Sequence, residues 1–174
     1  NGRLVKGNPM SYPRQYSSLC IDRKNSFLYV VGGYNKDEGL IPYWERLSLK
    51  SKQWEEIEIL NVPRLNSCSA ALDGTHVYTF GGLGEYDYLS SIERYNVKLN
   101  IWTELKVKLP LKLSNSFAWS VNKNEIIILG GMRPTNSTVA SKRFVIENTV
   151  YSFNTKKYSF SHLKPLPFTK KLSN

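Results

Sequence analysis

His76, His162, Cys20 and Cys68 are the only histidines and cysteines in the 174-residue chain. Hydrolytic, redox or metal chemistry would need such groups grouped with carboxylates or with one another at short, defined spacings. The two histidines fall on separate segments, and no cysteine or carboxylate set at metal-ligand spacing accompanies them. There is no HExxH pair, no serine nucleophile elbow and no phosphate-cradling glycine loop leading into a helix. Catalysis, a metal and a cofactor are therefore not expected. What the residues can do is bind. Up to Glu104 the chain holds 12 basic and 12 acidic residues, whereas from Leu105 onward 12 basic residues face only Glu125 and Glu147. The whole formal charge of +10 thus lies in the last 70 residues, a segregation that attracts acidic partners and speeds their encounter. The same residues could equally be a solvated face.

The elements that must position these charges are set by a repeat. Gly32-Gly33, Gly81-Gly82 and Gly130-Gly131 stand 49 residues apart twice over, each closing a short apolar run: Phe27 to Val31, Val77 to Phe80, Ile126 to Leu129. A period of this length marks an array of equivalent supersecondary units. Behind each pair the copies align further. Leu47 leads by seven residues to Trp54, Tyr95 to Trp102, and Tyr151 to Tyr158. Pro13-Arg14 and Pro63-Arg64 precede the first two units, with Pro110 to Lys112 in the matching place of the third. Each unit divides into four short strands, the second apolar enough to be buried on both faces. Leu47, Tyr95 and Tyr151 are expected to face Trp54, Trp102 and Tyr158 across a hairpin. The glycine pairs leave room for close backbone approach and allow positive φ. No helix pattern is present.

The apolar run with Gly-Gly, the Glu-Arg-Tyr-Asn stretch at residues 93–96 and the Trp beyond it resemble the kelch repeat over essentially the whole chain. The third unit departs by lacking the Glu-Arg pair and the tryptophan. The resemblance implies an all-β, kelch-type β-propeller. Three four-stranded antiparallel blades (13–60, 61–108, 109–164) would belong to a larger ring of five to seven. Residues 1–12 would end a preceding blade and 165–174 start a following one, so a longer chain is expected to supply the remaining blades. It further implies a non-catalytic protein-interaction scaffold, and the basic sector adds the expectation of a cytoplasmic, cytoskeletal role in docking on an acidic polymer such as tubulin or actin. The alternative is the substrate-recognition propeller of a cullin-type ubiquitin-ligase adaptor.

Antiparallel connectivity places each loop between second and third strands on the same face as the linkers into the next unit. That face gathers the candidate partner-binding residues: Arg14, Arg64, Tyr86, Tyr88, Lys112, Arg133, Lys142, Arg143 and Phe144. Arginine and the aromatics dominate interface energetics. The third such loop is about six residues longer, and long loops on rigid scaffolds are where function concentrates. Arg14 and Arg64 match positions that contact acidic motifs in kelch adaptors, or else bond to nearby carbonyls. The Glu45-Arg46 and Glu93-Arg94 pairs, recurring on strands, are expected to be structural. No apolar stretch is long enough for a membrane helix. Nucleic-acid binding is not expected, because the basic sector lacks regular aromatic interleaving. Two cysteines without metal spacing suggest a reducing, intracellular setting.

Overall fold

The structure is a computed structural model that describes residues 6–136, 138 and 143–166. The first sheet contains β1 (Ser18–Asp22), β2 (Phe27–Val31), β5 (Trp44–Ser48) and β6 (Trp54–Ile57); a two-residue ribbon of β3 (Tyr34–Asn35) and β4 (Gly39–Leu40) interrupts it. The second contains β7 (Cys68–Leu72), β8 (His76–Phe80), β9 (Ile92–Asn96) and β10 (Ile101–Glu104). The third contains β11 (Phe117–Asn122), β12 (Glu125–Pro134), β13 (Phe144–Asn154) and β14 (Ser159–Leu163). All pairings are antiparallel and follow chain order, so each unit is a four-stranded meander. The expected end of a preceding unit lies partly, and the start of a following one almost wholly, outside the described residues. So does Lys142.

The first strands β1, β7 and β11 lie side by side, and Ser18 and Ser69 join two of them by a hydroxyl hydrogen bond of 2.5 Å. Outward from there the sheets stack through apolar faces. Cys20, Tyr29, Val31 and Trp44 of the first meet Ala71, Val77, Tyr95 and Trp102 of the second. The opposite face of the second sheet, with Cys68, Ala70, Tyr78 and Phe80, meets Ala118, Ile126, Ile128 and Phe153 of the third. Strand alternation explains why one sheet serves two neighbours. Each large side chain withdrawn this way contributes roughly 2–3 kcal/mol. The same alternation leaves Leu19 and Ile21 exposed on the outer face of the first sheet, and Phe117, Trp119 and Val121 on that of the third.

The register corrects two alignments in the third unit. Leu28 and Val77, each four residues before a glycine pair, oppose Leu47 and Tyr95, which in turn oppose Trp54 and Trp102. In the third sheet Ile126 opposes Phe153, and Phe153 opposes Phe160. Phe153 and Phe160, again seven apart, are therefore the equivalents, while Tyr151 faces His162. Tyr158 lies in the turn at φ 50°, as Lys52 and Asn100 do in theirs. That turn is closed by Asn154 Oδ1, which accepts the N–H groups of Lys156 and Lys157, as Asn96 does for Lys98 and Leu99. Likewise the bridge of Ser114 to Met132 matches those of Gln15 to Tyr34 and Leu65 to Leu83, so Leu113, not Lys112, stands where Arg14 and Arg64 stand. The misalignment arises because Tyr151 and Tyr158 share the seven-residue spacing of Phe153 and Phe160, and only the pairing of Ile126 with Phe153 and of Ser114 with Met132 separates the two readings.

Cys20 and Cys68 are free and buried. Desolvation pushes the Cys68 thiol up to about 12 and that of Cys20 higher still. Neither should react with a thiol reagent at neutral pH in the native protein, since the thiolate is the nucleophile. Counting reactive thiols before and after urea should give none and then two; a fast-reacting thiol in the native state would show that these sheets open.

Candidate interaction surface

The loop face is built around two buried ion pairs. Arg14 Nη2 lies 2.5 Å from Glu45 Oε2, and Arg64 Nη2 lies 2.7 Å from Glu93 Oε1, all four side chains inaccessible to solvent. Each guanidinium also donates to carbonyls of its own unit. Arg14 donates to the carbonyls of Tyr12, Gly32 and Tyr43; Arg64 donates to those of Val62, Gly81 and Ser91 and to the Ser91 hydroxyl. The carboxylates in turn accept incoming linker amides: Glu45 from Ser11, and Glu93 from Asn61 and Val62. Burial lowers the pKa of both arginines, opposed by the neighbouring glutamates. This overturns the expectation that Arg14 and Arg64 face a partner. They fasten the linker to the third strand and the glycine-pair carbonyl, and both side chains are inaccessible to solvent. The recurrence of Glu45 and Glu93 was visible in the sequence, but their pairing with an arginine some 30 positions away was not.

In the third unit the set changes together. Leu113 and Tyr151, both buried, occupy the places of the arginine and the glutamate. Pro110, three residues before Leu113, stands where Ser11 and Asn61 donate to the carboxylate, and it carries no N–H. An ionic latch has become an apolar one. The Gly130 carbonyl, deprived of an arginine, accepts instead from the Ser116 hydroxyl at 3.0 Å.

The glycine pairs position the linkers. Gly33 N–H donates to Arg64 O at 2.9 Å and Gly82 N–H to Leu113 O at 2.8 Å, so each pair holds the linker of the following unit. Gly32, Gly81 and Gly130 have φ of 59°, 57° and 56°, and Gly33, Gly82 and Gly131 have 111°, 96° and 108°. Trp54 and Trp102 donate their indole N–H groups to Asn8 O and Glu58 O. The hydroxyl of Tyr158 is hydrogen-bonded by Arg94.

The remaining candidates are surface groups in three settings. Tyr86, 90% exposed, stands between Glu85 and Asp87, while Tyr88 is half-buried. Lys112 pairs with Asp87, and the lysine contact and the Tyr88 amide hold that carboxyl below its usual pKa. Lys112 thus lies on the seam between the acidic second unit and the basic third. Arg133 pairs with Glu147. Arg143 and Phe144 are exposed at the start of β13.

The expected long third loop is largely a ladder. β12 and β13 remain paired beyond the glycines, with Gly131 opposite Glu147, Met132 opposite Ile146, Arg133 opposite Val145 and Pro134 opposite Phe144. In the other units the corresponding strands end before or just at the glycines, at Val31 and Phe80. The result is an extended two-stranded arm with Phe144, Val145 and Ile146 exposed in succession. The sequence reading names Phe144 but not Val145 and Ile146, because aliphatic residues carry no mark of exposure in the sequence. The signal that could have found them was the added length itself.

Comparison with known proteins places this architecture. A family model for the KLHDC2/KLHL20/DRC7 Kelch-repeats domain matches residues 3–171. Kelch-like protein 36 of Rattus norvegicus is 30% identical over 125 residues, covering 70% of this chain and 20% of that protein. N-acetylneuraminate epimerase of Vibrio cholerae serotype O1 is 25% identical over 92 residues, covering 49% of this chain and 24% of its own. The solved structure of YjhT superposes with a TM-score of 0.74 at 19% identity, covering 93% of this chain and 54% of that one. At that identity the likeness shows the fold. The chain spans a fifth to a quarter of the length of these two curated relatives.

Proposed function

The chain belongs to the kelch-repeat family, and from that premise we propose that it is a non-catalytic protein-interaction module whose third, basic unit engages an acidic protein surface. The observation that carries the reading is the separation of charge across one face. Asp37, Glu38 and Glu85 are exposed over the first two units; Arg143 and Lys164 are exposed over the third, beside the apolar arm. An acidic cytoskeletal polymer in the cytoplasm, tubulin or actin, fits such a surface. A second reading is the substrate-recognition part of a cullin-type ubiquitin-ligase adaptor. Further blades of a longer chain are proposed to cover the apolar outer faces at Leu19, Ile21, Phe117 and Trp119, because an uncovered sheet face of that size is an association site.

One relative is by its name an epimerase, so the chemistry bears on the choice. The His162 ring packs edge-on against Tyr151 with centroids 4.5 Å apart. His76 lies beside Tyr78 and bonds to the Thr75 hydroxyl, and its pKa is lowered by burial and by Arg94. Among the described residues no three His, Cys, Asp or Glu side chains converge as metal ligands. Both histidines are engaged in packing, which favours binding over catalysis.

Co-sedimentation with tubulin or actin at rising salt tests the charge reading. Binding should weaken with ionic strength, and Lys112→Glu with Arg143→Glu should reduce it about tenfold or more. Binding indifferent to both would remove the charge mechanism. Recovery of a cullin with the full-length protein would favour the adaptor.

A further inference from the structure

Among the described residues the arm formed by β12 and β13 offers an unpaired strand edge, and its chemistry specifies what fits there. Leu166 N–H donates to Asn148 O at 3.0 Å, the contact that Leu60 makes with Pro42 O and Leu109 with Ser90 O in the other units. The Asn148 carbonyl therefore points to the edge away from β12, while the Arg143 carbonyl, which accepts from Thr135 N–H, points toward it. Main-chain direction alternates along a strand, so the N–H and C=O groups of Phe144 and Ile146 face the same open edge as Asn148. Its neighbour β14 ends at Leu163, opposite Val150. Among the described residues, Phe144 to Glu147 have no strand partner on that side. In the first two units the exit linker turns from the equivalent carbonyl toward the glycine pair, as Arg64 O and Leu113 O show.

The arm has two unlike faces. Met132 and Ile146 oppose each other, as do Pro134 and Phe144, and these four share one face because they are two apart on each strand. The other face carries Val145 and the Arg133–Glu147 pair. Ile146 is 69% exposed and Phe144 46%. At the two ends of the open edge stand the exposed cations Arg143 and Lys164. Exposed edges are normally blunted by inward charges, bulges or a cover. Here the edge strand itself is apolar and the charges flank it.

We infer that the Phe144–Glu147 edge captures an extended segment of another protein by strand addition, the segment alternating apolar with acidic residues. Main-chain bonds to Phe144 and Ile146 supply the docking; the apolar face takes alternate side chains; Arg143 and Lys164 select acidic ones. The inference rests on the interaction-module reading and gives that reading its ligand class.

The test is to pan a random peptide library of about twelve residues against the chain and locate the selected peptides by amide exchange. Alternating acidic and apolar sequences that protect Phe144 and Ile146 are expected. Methylating alternate peptide nitrogens should weaken them about tenfold while leaving the protein untouched, and Arg143→Glu should do the same without disturbing the arm. Peptides that bind elsewhere on the loop face would overturn the strand-addition proposal yet keep the interaction module. Failure to select any binder would count against both. Protection of the arm that grows with protein concentration in the absence of peptide would assign the edge to a second copy and likewise overturn the proposal.

Discussion

Arg64→Leu is expected to destabilise the protein by about 3–5 kcal/mol, read as a lowered urea midpoint. The magnitude follows from what would be left behind. Glu93 is inaccessible to solvent, and among the described residues Arg64 is its one ion-pair partner. The Gly81 and Ser91 carbonyls would also lose the donor they share. A buried carboxylate deprived of its partner is among the few lesions that reach this size. The variant Asn61→Pro, Arg64→Leu, Glu93→Tyr should recover most of the loss. It copies the combination that the third unit carries at Pro110, Leu113 and Tyr151. Full recovery would mean that the ionic and apolar latches are interchangeable, in line with the small net contribution of buried pairs once their desolvation is counted. A single variant within about 0.5 kcal/mol of the parent would show that the latch is not what holds the linker.

The surface charges should behave otherwise. Lys112 and Asp87 are both about half exposed, so their pair is screened and contributes little to stability. Asp87 is held below its usual pKa, so whatever stability the pair gives is present above the unfolded carboxyl pKa and lost as pH falls through the folded one. Binding and stability therefore separate. Charge reversals at Lys112 and Arg143 act on association, while changes at Arg64 act on the fold.

That separation marks where sequence reading succeeded and where it stopped. The strand pattern was legible because glycine pairs, apolar runs and the seven-residue aromatic spacing are local signals. The third unit slipped by two residues at Tyr151 and by one at Lys112 because spacing carries no information about which residues are opposite. Only the pairings of Ile126 with Phe153 and of Ser114 with Met132 reveal it. Arg14 and Arg64 read as surface groups in the sequence because arginine is seldom fully buried. Their burial depends on Glu45 and Glu93, which topology brings to them across 31 and 29 residues. The arm was foreseen as a longer loop carrying Arg133, Arg143 and Phe144. That it continues as a ladder, leaving an open edge at Phe144 and Ile146, is a property of pairing and not of composition.

Gly81→Ala should be the other severe lesion, at about 3–4 kcal/mol. Two penalties combine there. At φ 57° an alanine must adopt the left-handed conformation, which costs roughly 1–2 kcal/mol. Its methyl would also overlap the Leu113 carbonyl oxygen, the acceptor for Gly82 N–H, so the linker would have to move and its hydrogen bond to lengthen. Gly39→Ala isolates the first penalty, since that residue has φ 78° and nothing within 4 Å of the added carbon. Comparing urea midpoints of the two variants therefore measures the close approach by itself. Gly32→Ala should resemble Gly81→Ala, because there the methyl meets Arg64 O, whereas Gly130→Ala, whose nearest described atom is Glu147 O at 3.1 Å, should fall between. Equal losses at Gly81 and Gly39 would mean that the glycine pairs recur for backbone conformation alone. A larger loss at Gly81 would mean that they recur because each unit must let the linker of the next one touch its backbone, the contact by which a repeat of this kind transmits its geometry.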